Sequence, residues 1–149
     1  MRIVLQRVSK ASVTIAEKVQ GKINRGLVLL VGIEEDDTQA DADWLVGKVA
    51  QMRIFSDDQG KMNLSVQDVN GELLIISQFT LFASTKKGNR PSFIKAAKPE
   101  TAIPLYEYLI QEFSKTGLTV QTGIFGADMN VSLDNDGPVT ILIDSKNKE

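Results

Sequence analysis

Apolar and polar residues alternate along Arg2–Ile15, with Ile3, Leu5, Val8, Val13 and Ile15 on the apolar side and a slip of phase near Ser9-Lys10. Period-two alternation predicts one long strand, and the slip predicts a bulge or bend within it. After Asn24-Arg25-Gly26 comes Leu27-Val28-Leu29-Leu30-Val31, a continuous apolar run of the kind found in strands covered on both faces. Thr38-Gln39-Ala40-Asp41 resembles a capping box and predicts the start of a helix whose Leu45, Val49 and Met52 share a face, with Trp44 expected in the core. Arg53-Ile54-Phe55 reads as a short strand before the turn Asp57-Asp58-Gln59-Gly60. Glu72–Ile76 is a further buried strand that runs straight into Ser77-Gln78-Phe79-Thr80-Leu81, and polar residues at the end of a buried strand are candidates for chemistry.

Lys98-Pro99-Glu100 can open a second helix, since proline suits a helix start, and Tyr106, Leu109, Ile110 and Phe113 repeat at helical spacing up to Gly117. Pro104 leaves the form of its first turn open. Leu118–Gln121, Met129–Leu133 and Val139–Ile143 then predict strands. Between the last two lies Asn135-Asp136-Gly137-Pro138, where asparagine, aspartate and glycine tolerate positive φ and proline cannot donate to a sheet ladder, so a hairpin turn is expected. The order predicts an α+β fold, a mostly antiparallel barrel-like β-sheet with two main helices, in a single domain over residues 1–149.

A length of 149 residues suits one domain, and 42 % hydrophobic with 24 % charged residues is ordinary globular composition. The chain has neither histidine nor cysteine, which removes Ser-His-Asp triads, Cys-His dyads, zinc fingers and disulfide scaffolds at a stroke. Hydrolysis would have to use hydroxyls, lysine, tyrosine, carboxylates, backbone dipoles or groups the substrate brings. No apolar run reaches the length of a membrane span and Met1-Arg2-Ile3-Val4 lacks a signal-peptide pattern, so a cytoplasmic location is expected. Ser132-x-Asp134-x-Asp136-Gly137 imitates half a calcium loop, but the twelfth position is Ile143 where glutamate is required. Gly123-Ile124-Phe125-Gly126 has the spacing of an RNA-binding GxxG loop without its basic residues and helical flanks. No glycine-rich phosphate loop is present.

With a net charge of −2 the chain has no general attraction for nucleic acid, so any basic site is local. Lys86, Lys87, Arg90, Lys95 and Lys98 supply one, in a stretch with no acidic residue before Glu100 and with Phe93 among the charges. Such a segment reads either as a solvated loop or as a patch for phosphate groups.

Three separated segments, Ser77-Gln78-Phe79-Thr80-Leu81, Lys87-Gly88-Asn89-Arg90-Pro91-Ser92-Phe93 and Asn135-Asp136-Gly137-Pro138-Val139-Thr140, together resemble the D-aminoacyl-tRNA deacylase family. The likeness takes in Met1-Arg2, Gln6-Arg7-Val8, Arg53–Asp57, Lys61–Leu64 and Gly126–Met129, so it spans essentially the whole chain up to Asp144. The resemblance implies hydrolysis of the ester between a D-amino acid and the terminal adenosine of tRNA, with no metal or organic cofactor. It implies aminoacyl-tRNA as partner, with no DNA and no membrane. It also implies a homodimer in which Ser77–Leu81 of one subunit meets a cis Gly137-Pro138 gate from the other, an arrangement suited to a two-fold interface.

On that reading Gln78, Phe79 and Thr80 form the catalytic pocket with Ser77 supporting it, while Lys86, Lys87 and Arg90 bind RNA. Thr80 lacks a histidine to deprotonate it, and an unactivated hydroxyl is a poor nucleophile at neutral pH. An aminoacyl ester is already activated, so positioning, oxyanion stabilisation and the substrate's own 2′-hydroxyl can suffice, and the family likeness favours this RNA-assisted route. A wall that rejects L-configured side chains has nothing to strike in glycine, so glycyl-tRNA is an expected further substrate. Two rivals are a non-catalytic RNA-binding module, marked by salt-sensitive binding without turnover, and an esterase for small molecules, marked by equal turnover of free amino-acid esters.

Overall fold

The computed structural model describes residues 1–149. Strands β1 (Arg2–Ile15), β2 (Lys18–Ile23) and β3 (Gly26–Gly32) precede helix α1 (Gln39–Gln51), and the short β4 (Phe55–Ser56) and β5 (Met62–Leu64) form a separate hairpin. Then come β6 (Glu72–Ser77), a 3-10 turn over Phe79–Phe82, helix α2 (Pro99–Lys115), β7 (Thr119–Thr122) and β8 (Asn130–Asp144). One six-stranded sheet follows the order β2-β1-β3-β6-β7, with β8 paired to β1. The fold is α+β with the two expected helices. The sheet is mixed, however, because β3–β6 and β6–β7 run parallel where a mostly antiparallel sheet was expected. Helices α1 and α2 sit in the connections β3-to-β6 and β6-to-β7, and a strand joined to its neighbour through a crossover helix must run parallel to it.

Both faces of β3 and β6 are covered along most of their length, which explains their continuous apolar runs. Leu27, Leu29, Leu73 and Ile75 face the helices with Ile3 and Leu5, and pack against Leu45, Val49, Leu109 and Phe113. Val28, Leu74 and Ile76 point the other way, into a second cluster with Val8, Val13 and Ile23 inside the curl of the sheet. The curl nearly closes: a Cβ on Gly21 of β2 would lie 3.3 Å from the Gln121 Cβ of β7. The phase slip in β1 falls where expected, since its register against β8 shifts between Val8 and Lys10. Strand β2, with Val19 exposed, has no counterpart among the sequence expectations. Trp44 is half-buried against the core edge.

One correction bears directly on function. Asn135–Pro138 makes no hairpin: β8 runs unbroken from Asn130 to Asp144 along a single neighbour, β1. Val8 pairs with Asn135 and Gln6 with Thr140, so Asp136–Val139 bulges out opposite the single residue Arg7. The segment that imitates a calcium loop is therefore extended strand, and no group of three or more acidic side chains is placed to hold a metal ion. No helix is long and apolar enough to cross a membrane.

Candidate active site

Strand β6 ends at Ser77, and the chain leaves the sheet one residue later. The Gln78 N–H still donates to the Val31 carbonyl of β3 at 2.7 Å, as a ladder would, but Gln78 has turned to φ −144°, ψ 74° and the 3-10 turn begins. Within it the Leu81 N–H donates to Gln78 O at 3.2 Å and the Ala83 N–H to Thr80 O at 3.1 Å. Phe82 is the buried anchor, while Phe79 and Thr80 are exposed. The N–H groups of Phe79 and Thr80 open the turn and have no backbone acceptor, as at any helix start. They are the free donors of the site.

The turn sits close because Gly32, the last residue of β3, has no side chain. A Cβ there would meet Leu81 Cβ at 3.0 Å and both Gln78 O and Phe82 Cε2 at 3.1 Å. Arg2 closes the other side: its Nη1 donates to Leu81 O at 3.1 Å, its Nε to Asp144 Oδ2 at 2.8 Å, and its guanidinium lies 4.6 Å from the Phe82 ring centroid. Beside Gln78 and Phe79 a cavity of about 60 Å³ is lined largely by apolar groups, among them Val31, Ala102, Tyr106 and Phe125. These residues belong to β3, α2 and the loop after β7, and sequence reasoning did not assign them to the site. Their only signal was core-like spacing.

The chemistry available to Thr80 is limited. Its hydroxyl receives a short hydrogen bond from the Gln78 side-chain amide, and an amide is not a base. No lysine hydrogen-bonds to it. The nearby Tyr106 phenol is pushed upward by burial, so it stays protonated, and it donates to Ile75 O at 3.0 Å. Gln78, Thr80 and Tyr106 can each donate a hydrogen bond, and none of the three is a base at neutral pH.

The basic loop grows directly from the turn. Ser84 and Ser92 exchange backbone hydrogen bonds at its base, at 2.8 and 2.9 Å, and Lys86, Lys87 and Arg90 all project into solvent at its tip. Phe93 packs edge-on against Phe79 with centroids 5.1 Å apart, which ties the loop to the turn. Lys95 and Lys98 are also exposed, on the return path to α2.

Gly137 and Pro138 crown the β8 bulge, exposed to solvent and joined by a cis peptide bond. Arg7 holds the bulge from beneath, with Nε donating to Asp136 O at 3.0 Å and lying 3.2 Å from Asp136 Oδ2, while Nη1 donates to Ile54 O at 2.6 Å. Sequence reasoning met Arg7 only within the family likeness and gave it no role, although a charge sharing the face of Ile3 and Leu5 was a visible signal. The bulge does not meet the turn within one chain. Arg7 is level with Leu27 and Leu73, four residues short of Ser77, and three interstrand steps separate β8 from β6, which places the two features roughly 20 Å apart across the sheet.

Comparison with known proteins gives consistent matches over the full chain. The profile of the family described as D-Tyr-tRNA(Tyr) deacylase matches residues 4–144. A D-aminoacyl-tRNA deacylase of Flavobacterium psychrophilum is 62 % identical over 150 residues, and one of Bacteroides thetaiotaomicron 59 % identical, each match covering 100 % of both chains. Among solved structures, a protein described as "c-Myc DNA Unwinding Element Binding Protein" superposes with a TM-score of 0.91 at 40 % identity, covering 97 % of this chain and 98 % of that one. A second, described as a probable eukaryotic D-amino acid tRNA deacylase, shares the fold with a TM-score of 0.83 at 17 % identity, covering 95 % of this chain and 97 % of that one.

Proposed function

The chain belongs to the D-Tyr-tRNA(Tyr) deacylase family, and on that premise we propose that the Gln78–Thr80 turn of one subunit and the Gly137-Pro138 bulge of a second copy form one deacylation site. The reaction is hydrolysis of the ester that joins a D-amino acid to the terminal adenosine of tRNA, freeing both. One observation carries the shared site: both features are exposed, yet they lie roughly 20 Å apart in a single chain, too far to touch one ester. The face of the sheet beside the bulge supports a two-fold partner. Leu142 is 65 % exposed there, next to half-buried Val4 and Leu30. The nearby Gln6 side chain has a buried oxygen with no hydrogen-bond partner, as an unfinished interface leaves.

Water adds to the ester carbonyl, and the oxyanion that forms is held by the free N–H groups of Phe79 and Thr80. One such donor is worth about 2.7–4 kcal/mol. As the intermediate collapses, the ribose 2′-hydroxyl relays a proton from the attacking water to the departing 3′-oxygen, so the protein supplies no base. Thr80 then acts through its N–H, its hydroxyl occupied by Gln78. Lys86, Lys87 and Arg90 grip phosphates of the acceptor strand. The partner's bulge is a rigid wall where an L side chain would lie, and it offers no barrier to glycine, so glycyl-tRNA is hydrolysed as well.

Deacylation rates on matched D-, L- and glycyl-tRNA test the reading, with Thr80→Ala and a terminal 2′-deoxyadenosine substrate as companions. The expected result is turnover of D- and glycyl-tRNA, resistance of L-aminoacyl-tRNA, substantial activity in Thr80→Ala and severe loss with the 2′-deoxy substrate. An acyl-enzyme trapped on Thr80 would overturn the RNA-assisted route, and glycyl-tRNA fully resistant at enzyme levels that clear D-aminoacyl-tRNA would overturn the wall.

A further inference from the structure

A one-turn helix leaves its last carbonyls without partners, and the catalytic turn solves this in an unusual way. The next N–H that could reach Leu81 O belongs to Ser84, but that group donates to Ser92 O at 2.8 Å to close the basic loop. Leu81 O is taken instead by Arg2, from the far end of the chain's first strand. The same guanidinium also engages Asp144, the last residue of β8, and covers the Phe82 ring, so one planar group touches the turn in two places and a strand end in a third. Partial burial would raise the Asp144 carboxyl, but hydrogen bonds from Arg2 and the Lys146 N–H outweigh it and hold the group below the usual carboxylate range. Opposite Arg2, and paired with it in the β1–β3 ladder, stands Gly32, whose missing Cβ lets the turn settle. The turn is thus clamped between a bare backbone on one side and a braced cation on the other.

Resting on the deacylase reading above, we propose that Arg2 is a positioning residue for the reaction. It fixes the Phe79–Phe82 turn and so aims the Phe79 and Thr80 N–H groups at the oxyanion, without touching substrate. The role needs a guanidinium: two hydrogen bonds at fixed angles and a flat face over a ring exceed what a lysine ammonium can supply together. Arg2 is also 38 % exposed at its side chain, and Arg2→Met keeps an unbranched chain beside the Phe82 ring.

Arg2→Met, Arg2→Lys and Asp144→Asn separate positioning from mere structure. In the two Arg2 variants kcat on D-aminoacyl-tRNA falls about tenfold or more, as displaced reacting groups produce, while KM for the tRNA and the melting temperature hold. Asp144→Asn, which leaves Arg2 unbraced, moves kcat in the same direction by less. Amide hydrogen exchange at Ala83, whose N–H closes the turn on Thr80, speeds up in Arg2→Met. Wild-type kcat in Arg2→Met, full rescue by lysine, or unchanged exchange at Ala83 would each overturn the proposal. An inactive wild-type protein would overturn the deacylase reading instead, and the exchange measurement would still decide whether Arg2 holds the turn.

Discussion

Gly137 meets two demands that no other residue satisfies together. Its φ of +127° lies where L side chains are strained, and a Cβ would come within 2.9 Å of Val139 Cγ2 and 3.0 Å of Arg7 Nη2. Arg7 cannot retreat, because its guanidinium is buried and already committed to Asp136 and to Ile54 O. Gly137→Ala therefore concentrates strain of about 1–3 kcal/mol in the bulge, and the expected outcome is a folded protein whose preference for D- over L-aminoacyl-tRNA is eroded. Paired D and L rates with a thermal melt check this, and an unaltered preference would dissociate the bulge from chiral selection. At this scale Ser77–Thr80 stood out in the sequence because polar residues end an apolar run. Gly32 was not, since the need for a bare backbone exists only once the turn folds back over β3.

Elements were legible in proportion to their periodicity. Helix α1 begins where Thr38-Gln39-Ala40-Asp41 predicted it, with the Thr38 N–H donating to Asp41 Oδ2 at 2.8 Å. Partial burial would raise the Asp41 carboxyl, but hydrogen bonds led by that N–H hold it below the usual carboxylate range. A depressed value means the carboxylate stabilises the fold above its unfolded pKa and stops doing so as pH falls through the folded one. Asp41→Asn should thus cost about 0.3–1 kcal/mol near neutral pH, with the deficit vanishing in acid; urea unfolding at both ends of the range measures it. Helix α2 spans Pro99–Lys115 with Pro104 inside its first turns. Pro104 lies beyond the free N–H groups of the helix start, so it denies Glu100 O its i−4 donor and crowds that carbonyl, yet the helix continues to Lys115 with Tyr106, Leu109 and Phe113 packed in the core. Strand β8 was misread as two because Asn-Asp-Gly-Pro serves a bulge as readily as a turn, and the difference lies in whether the chain returns to the same neighbour.

For the whole molecule, the proposed shared site makes a prediction that a self-contained monomer cannot meet. Gly32→Val wedges the turn away from β3, and Gly137→Val disrupts the bulge, so each homodimer should be inactive on D-aminoacyl-tRNA. Co-expressed, random pairing makes half the dimers mixed, and each mixed dimer carries one site in which turn and bulge are both intact, giving about a quarter of wild-type activity. No recovery on mixing would place turn and bulge in the same chain, and an active Gly137→Val homodimer would make the bulge dispensable. Periodicity, composition and ordered motifs are local properties of the chain, and they sufficed for the α+β character, the two helices, the exclusion of histidine and cysteine chemistry, and the family. The mixed sheet, the bulge under Gly137-Pro138 held by Arg7, and the grip of Arg2 and Gly32 on the Phe79–Phe82 turn came only with the folded chain. Those are contacts between residues far apart in sequence, and no local pattern encodes which strands become neighbours.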